Sequence, residues 1–404
     1  MMQEPATPAA MSMDRRRLLL RSMIAAAGAT AGALSGPVRG QSTPAIKKSV
    51  PRFAYVGCRT TKARNARGEG IQVYKVDAAS GEWTHVQLLR DLVNPSFLAF
   101  DRTQQFLYTV HGDMSEVSAF SVDPDSGVLR LLNQQSTQGK NPAHLLVDES
   151  NRFLIVANYA SGTLAVLPRN DDGSLGALQQ LENLPGTPGT HRVDQNSSHP
   201  HHVVYDPAAR WLLVPDKGVD RIFTFGFDPA TGKLRLADPG FVQIRPGAGP
   251  RHIAFHPARP FAYVAHELDS SVGAYRYVPE RGLLEPIQIV PSLPDTFTGA
   301  NTAAEIEVSP SGRFVLISNR GSDSIGSFGI DPSSGRLTPV GWTASEGKGP
   351  RFFAIDPTGA FVHVANENSD AIVTFRLDED SGRLQKTKQI VRTGSPVCIV
   401  FSTL

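Results

Sequence analysis

Four residues of types that move protons and hold anions stand at matching places in this chain: His201 after Pro200, Arg251 after Pro250, Glu267 after His266 and Arg320 after Asn319. An imidazole or carboxylate within ~3 Å of a water can take its proton. Preorganised cationic donors stabilise a developing oxyanion, by ~3 kcal/mol per donor in other acyl-transfer sites. Two guanidinium groups can also clamp a carboxylate or phosphate. Seven of the eleven histidines fall between His191 and His266, so imidazole is concentrated in the same stretch. No serine sits in a nucleophile elbow; Gly173-Ser174 and Gly326-Ser327 read as ordinary turn or strand. His199, His201 and His202 offer a His-x-His pair, but no matched carboxylate or thiolate supplies a third ligand. No metal and no cofactor is expected. His85, His144, His252, His256 and His363 lie within or beside strands and read as structural.

Whether the four residues meet depends on the elements that carry them. An acidic or polar residue followed by Gly-x-Leu, or a near variant, recurs along the chain with its glycine at 81, 127, 173, 232, 282, 335 and 382. Successive glycines are 46, 46, 59, 50, 53 and 47 residues apart. Each unit reads as four strands; in one, the runs are Arg251–Phe255, Phe261–His266, Val272–Tyr277 and Leu284–Val290, separated by Pro-, Gly- and Asp-rich turns. Seven four-stranded units at this period predict an all-β, seven-bladed propeller of antiparallel blades, occupying residues 53–404 as one domain. Pro396–Phe401 resembles a first strand lacking its second, and Phe53–Cys58 a second lacking its first. Pairing them closes the ring.

Aligning the units gives two registers. The second strand ends at Arg59, Gly112, Tyr159, Lys217, Glu267, Arg320 and Glu367. The first begins, after its proline in six units, at Ser96, Ala143, His201, Arg251, Arg351 and Val397, with Ala304 in the seventh. Hairpin partners share these ends, so both sets ring one mouth of the central channel. His201, Arg251, Glu267 and Arg320 then cluster on adjacent blades as candidate catalytic groups, with His199, Lys217, Arg351 and Glu367 as candidate substrate-binding groups.

Composition excludes other classes. The chain has 404 residues, 36 glycines, 30 prolines and a net charge of +2, which suits short strands and tight turns. Forty basic against 38 acidic residues give no general pull on nucleic acid or anionic membrane. Residues 1–40 differ: Asp14-Arg15-Arg16-Arg17-Leu18-Leu19-Leu20 followed by a small-residue stretch has the layout of a twin-arginine export signal. It implies the Tat machinery as partner, residues 41–52 as a linker, and a mature protein outside the cytoplasm with no membrane segment. The two cysteines, Cys58 and Cys398, fall in the shared blade. By the repeat register Cys398 matches His252 and Cys58 matches His266. Counting back from the hairpin puts residue 252 opposite 264, which makes the thiols diagonal neighbours on one face at ~7–8 Å, a little long for a disulfide. Two free thiols are expected.

Several stretches together carry a family resemblance: Asn141-Pro142-Ala143-His144, Ser198-His199-Pro200-His201, Val214-Pro215-Asp216-Lys217-Gly218-Val219-Asp220-Arg221, Gly249-Pro250-Arg251-His252, Ser318-Asn319-Arg320-Gly321 and Ala365-Asn366-Glu367. Over about residues 51–404 the chain resembles the seven-bladed propeller lactonases, which include propeller-type 6-phosphogluconolactonases and carboxy-cis,cis-muconate lactonizing enzymes. The resemblance implies hydrolysis of a small anionic lactone, with family active residues at His201 (or His199), Arg251, Glu267 and Arg320. Glu267 or His201 would activate water. A muconate-type cyclase and a non-catalytic binding propeller are the alternatives. Lys217 departs from the uncharged residue usual in this stretch, and an export signal departs from the cytoplasmic location of 6-phosphogluconolactone.

Overall fold

A computed structural model describes residues 49–77 and 80–403. The expected export signal at 1–40 and all but the last four residues of the 41–52 linker lie outside the described residues. Seven four-stranded antiparallel sheets form the ring of blades. Blade 1 is Pro396–Ser402, Phe53–Cys58, Ile71–Val76 and Trp83–Leu89, so the two ends of the propeller pair as expected. Blades 2 to 7 begin at Pro95, Pro142, Val204, Pro250, Thr302 and Pro350. First strands of neighbouring blades contact one another, which makes them the innermost strands.

The recurring glycine is the outer hairpin turn of every blade, and all seven copies have φ between 63° and 82°. That region favours glycine because a Cβ would crowd the backbone. The same residue packs on an aromatic ring of the preceding blade: Gly127 on Phe53, Gly173 on Phe106, Gly335 on Phe261. One sequence motif therefore shapes the turn and joins the blades.

The inner strands depart from simple alternation. In blade 5 Pro250 pairs with His266 and His252 with Ala265, leaving Arg251 as the extra residue of a β-bulge. Ser96, Ala143 and Arg351 are bulged in the same way, as is Val397 in the closing blade. Blade 6 places both Ala304 and Glu305 in the bulge. Blade 4 is the least regular. Its inner strand shortens to Val204–Tyr205, with Pro200 bridging Asp216, and a long segment precedes it after the blade 3 strand that ends at Asn183. That segment is the source of the 59-residue spacing.

The bulge corrects the register expected for the cysteines. Residue 252 lies opposite 265, not 264, and correspondingly Cys398 pairs with Gly57 while Cys58 stands opposite Pro396. The thiols face opposite sides of the blade. Cys398 packs with Phe53, Tyr55 and Ile71, and Cys58 with Ala54, Val56 and Ile372. Both are free and buried. Denatured, unreduced protein is therefore expected to titrate two thiols with Ellman's reagent, and the folded protein to react far more slowly; a denatured sample showing none would overturn this placement.

Candidate active site

A bulge turns one side chain out of the strand's alternation. Of the residues after the prolines, Ala143, His201 and Arg351 line the cavity at the channel mouth, while Ser96, Arg251 and Val397 are buried beside it. Their partners, Arg59, Gly112, Tyr159, Lys217, Glu267 and Glu367, each stand one position beyond the second strand, and Arg320 ends its strand. Two buried aspartates hold the loops between. Asp216 accepts from the backbone N–H of His199 at 2.7 Å and of Gly218 at 2.9 Å. Asp220 accepts from Gly247 and Gly249, each at 2.7 Å. Gly249 itself has φ 63°, and a Cβ there would collide with Leu268 and press on Lys217.

Glu267 is the centre of the charged cluster. Its Oε1 lies 3.1 Å from Lys217 Nζ, and its Oε2 lies 3.1 Å from Arg251 Nε and 3.3 Å from Arg320 Nη2. Burial favours its neutral form, but Arg320, Lys217, Arg251 and Arg351 outweigh this and hold the carboxyl well below the ordinary carboxylate range. Lys217 is likewise buried, yet Glu267, Tyr159 and Asp194 keep its pKa above the ordinary lysine value. Arg251 Nη1 donates to Ala304 O at 2.7 Å, and Arg320 Nη2 to Ala303 O at 3.0 Å. The two arginines are thereby tied to the carboxylate and to blade 6 at once.

A cavity of about 230 Å³ opens beside this cluster, with His201, Lys217, Glu267 and Arg351 in its wall. Tyr159, Arg59 and Ala143, which the registers also brought to the mouth, line it as well. Of the other expected residues, His199 has both ring nitrogens engaged, by Tyr159 O and Asn196 Oδ1 at 2.9 Å each, and stacks on the Tyr159 ring at 4.5 Å. It supports the wall. Glu367 opens a short 3-10 turn, and its field reaches Arg320 and Arg59.

His252, expected to be merely structural, links the site to a carboxylate that sequence reasoning missed. Its Nδ1 lies 2.9 Å from Glu305 Oε1 and its Nε2 lies 3.2 Å from His201 Nδ1. With Glu305 ionised, His252 Nδ1–H donates to it, His252 Nε2 must accept, and His201 Nδ1–H donates. His201 Nε2 is then a free lone pair on a ring that lines the cavity. Burial, followed by Arg251, His252, Arg351 and Lys217, pushes the His201 pKa well down, so the ring is neutral at neutral pH. Burial raises Glu305 to about 7 against the opposing fields of Arg251, His202 and Arg351. The available signal was two acids, Glu305 and Glu307, in the otherwise apolar strand run Thr302–Val308. His202 does not join a metal set: it stacks on His252 at 4.5 Å and accepts from Ile253 N–H at 3.2 Å.

A closed ring of seven blades with acid, base and guanidinium groups around one concave mouth defines a propeller with an enzyme-like site. Residues 53–401 match the family model described as lactonase, 7-bladed beta-propeller, and the chain belongs to that family. It is 35% identical over 306 residues to a 6-phosphogluconolactonase of Bacillus subtilis, covering 75% of this chain and 85% of that one. A 6-phosphogluconolactonase of Formosa agariphila is 33% identical over 313 residues, covering 75% and 86%. Among solved structures, the periplasmic gluconolactonase of Pseudomonas aeruginosa superposes with a TM-score of 0.79 at 36% identity, over 86% of this chain and 98% of that one.

Replacing Glu267 with Gln leaves three cations around a neutral group. Removing one partner of a buried ion pair typically costs about 3–5 kcal/mol, and a loss of that order is expected in urea denaturation at pH 7. The Glu267 carboxyl is depressed in the fold, so its contribution is present above the ordinary carboxylate value of 4.5 and is lost as pH falls below it. The difference between wild type and Glu267→Gln is therefore expected to narrow in acid. Equal stability at pH 7 would show that the cluster does not depend on this charge.

Proposed function

We propose that the chain hydrolyses a sugar lactone of the 6-phosphogluconolactone type, with His201 as the general base. The observation that carries this reading is the hydrogen-bonded line from Glu305 through His252 to His201, ending on the cavity wall beside the cations gathered by Glu267. Glu267, held far below its ordinary pKa by its cations, has little affinity for a proton and nowhere to pass it on. The His201 pKa is pushed down as well, but the line through His252 hands its proton to Glu305, whose pKa is raised to about 7. The work of Glu267 is to hold Lys217, Arg251 and Arg320 in place.

In the proposed reaction a water oxygen attacks the lactone carbonyl and its proton passes to His201 Nε2. The His201 Nδ1 proton moves to His252 Nε2, and the His252 Nδ1 proton to Glu305 Oε1. The carbonyl electron pair becomes an oxyanion facing Lys217 in the cavity wall, with Arg251 and Arg320 adding their field from behind Glu267; these positions are set before the reaction. Collapse of the intermediate breaks the ring C–O bond, and the relay runs backward to protonate the departing alkoxide. The product is the open-chain acid.

The family membership and the names of the relatives support the lactone class. The arginine-rich segment at 14–20 and the periplasmic Pseudomonas relative support export by the twin-arginine route. Lysine substitution of Arg15, Arg16 and Arg17 together is expected to retain the precursor in the cytoplasm on cell fractionation; undiminished export would remove that route.

The reaction itself is tested by proton release from a panel of lactones. Protonation of Glu305 fills the end of the relay, so kcat is expected to fall as pH drops through about 7. The groups facing the line are Arg251, Arg320, Arg351, Lys217, Glu267, His144, His202 and Glu307; the acid limb is assigned to Glu305 by the Glu305→Gln variant. Glu305→Gln can still accept from His252 but cannot take up a proton; it is expected to lower kcat by about 100-fold, with KM little changed, and to abolish the acid limb. His201→Asn is expected to lose at least as much. Full activity in either variant removes the relay, and a panel with no substrate favours a non-catalytic binding propeller.

A further inference from the structure

The cations at this mouth fall into two groups. Lys217, Arg251 and Arg320 share the Glu267 carboxylate. Arg59 and Arg351, which also line the cavity, have no ion pair or side-chain hydrogen bond among the described residues. Arg59 is 7% exposed, and its Nη1 is buried without a hydrogen-bond partner. The guanidinium lies over Gly112, where a Cβ would overlap Nη1 and crowd Ser96 Oγ. Arg64 completes the arc but is already paired with Asp113.

An unpaired guanidinium is costly to bury, and like charges beside it add to the cost. Burial, then Arg351, then Arg64, pulls the Arg59 pKa down to about 9. An anion would relieve both effects. It has no comparable reason to choose the cations around Glu267, which already have one.

We infer that Arg59 and Arg351 form a second anion subsite, separate from the Glu267 cluster, which takes an anionic substituent of the substrate, a carboxylate or phosphate monoester remote from the lactone carbonyl. This rests on the proposed lactonase reading for its substrate, but the subsite itself rests on the unpaired arginines. Gly112 on blade 2 belongs to it as the residue whose missing side chain makes room for the guanidinium. A planar fork suits two oxygens of one anion, so Lys is not an equivalent replacement.

Two variants test the subsite: Arg59→Met removes the charge with similar bulk, and Gly112→Ala keeps the charge but displaces it. Wild type is expected to prefer 6-phosphoglucono-δ-lactone over glucono-δ-lactone in kcat/KM, and Arg59→Met to reduce that ratio by at least 30-fold, mainly through KM. A monocarboxylate sugar lactone in the same comparison tells which anion is preferred. Gly112→Ala is expected to reduce the ratio less. An unchanged ratio in Arg59→Met, or no preference in wild type, overturns the subsite while leaving lactone hydrolysis intact.

If no lactone is turned over, calorimetric binding of 6-phosphogluconate decides the subsite alone. Binding weakened at least 10-fold by Arg59→Met supports it, and equal binding overturns it. The melting temperature provides a folding control. Relieved of an unpaired buried charge, Arg59→Met is expected to melt at or above wild type without ligand, and to lose the upward shift that 6-phosphogluconate gives wild type.

Discussion

The bulge at the start of each innermost strand is the constraint on which the site depends. A strand that alternates strictly would bury every second residue against the next blade and leave the mouth to chance. By adding one residue, each blade keeps its apolar ladder and releases one side chain toward the channel. Seven blades therefore offer seven such positions, and their chemistry can differ without disturbing the core. Val397, Ser96 and Ala143 on blades 1 to 3 are small or apolar, whereas His201, Arg251 and Arg351 on blades 4, 5 and 7 are charged or titratable, and blade 6 carries the buried Glu305 in its two-residue bulge. One side of the ring supplies space and the other supplies reactivity.

Concentrating cations in a buried mouth requires a countercharge, and Glu267 is placed to act on three of them. Buried ion pairs add little net stability over an apolar core, because desolvation offsets the attraction. What the carboxylate adds is fixed position: Arg251 and Arg320 bond to it and to backbone carbonyls of blade 6, and cannot swing away when a neutral ligand arrives. The same pairing that fixes the cations makes Glu267 unsuitable as the base. A group cannot both hold three positive charges and bind a proton well at neutral pH.

Much of this was legible in sequence because the repeats restate it seven times. The turn glycines and the closing strand at Pro396–Ser402 appear where repeat alignment puts them, and of the fourteen register positions seven line the cavity, Arg251, Arg320 and Glu367 not among them. The failures share one cause. A hairpin count assumes one residue opposite one, and each bulge shifts that count, which moved the Cys58 and Cys398 thiols from one face to two. The same shift hid Glu305, since alignment stops at Ala304 while blade 6 bulges by both residues. His252 was misread for a different reason: a histidine on an inner strand is usually satisfied locally, and only the side chains across the blade boundary show that its partners are His201 and Glu305.

The direction of that line has a chemical consequence. It runs from the cavity wall inward, through His252, to a carboxyl that is 6% exposed. A relay ending in solvent would lose the proton it collects, and the departing alkoxide would have to find another. One that ends in the protein keeps the proton within two imidazoles of the reacting bond. The buried carboxyl must then bind a proton readily but not hold it permanently. Burial raises its pKa to about 7 while Arg251, His202 and Arg351 limit the rise, and in the proposed reaction that balance suits one group to accept in the attack and donate in the ring opening.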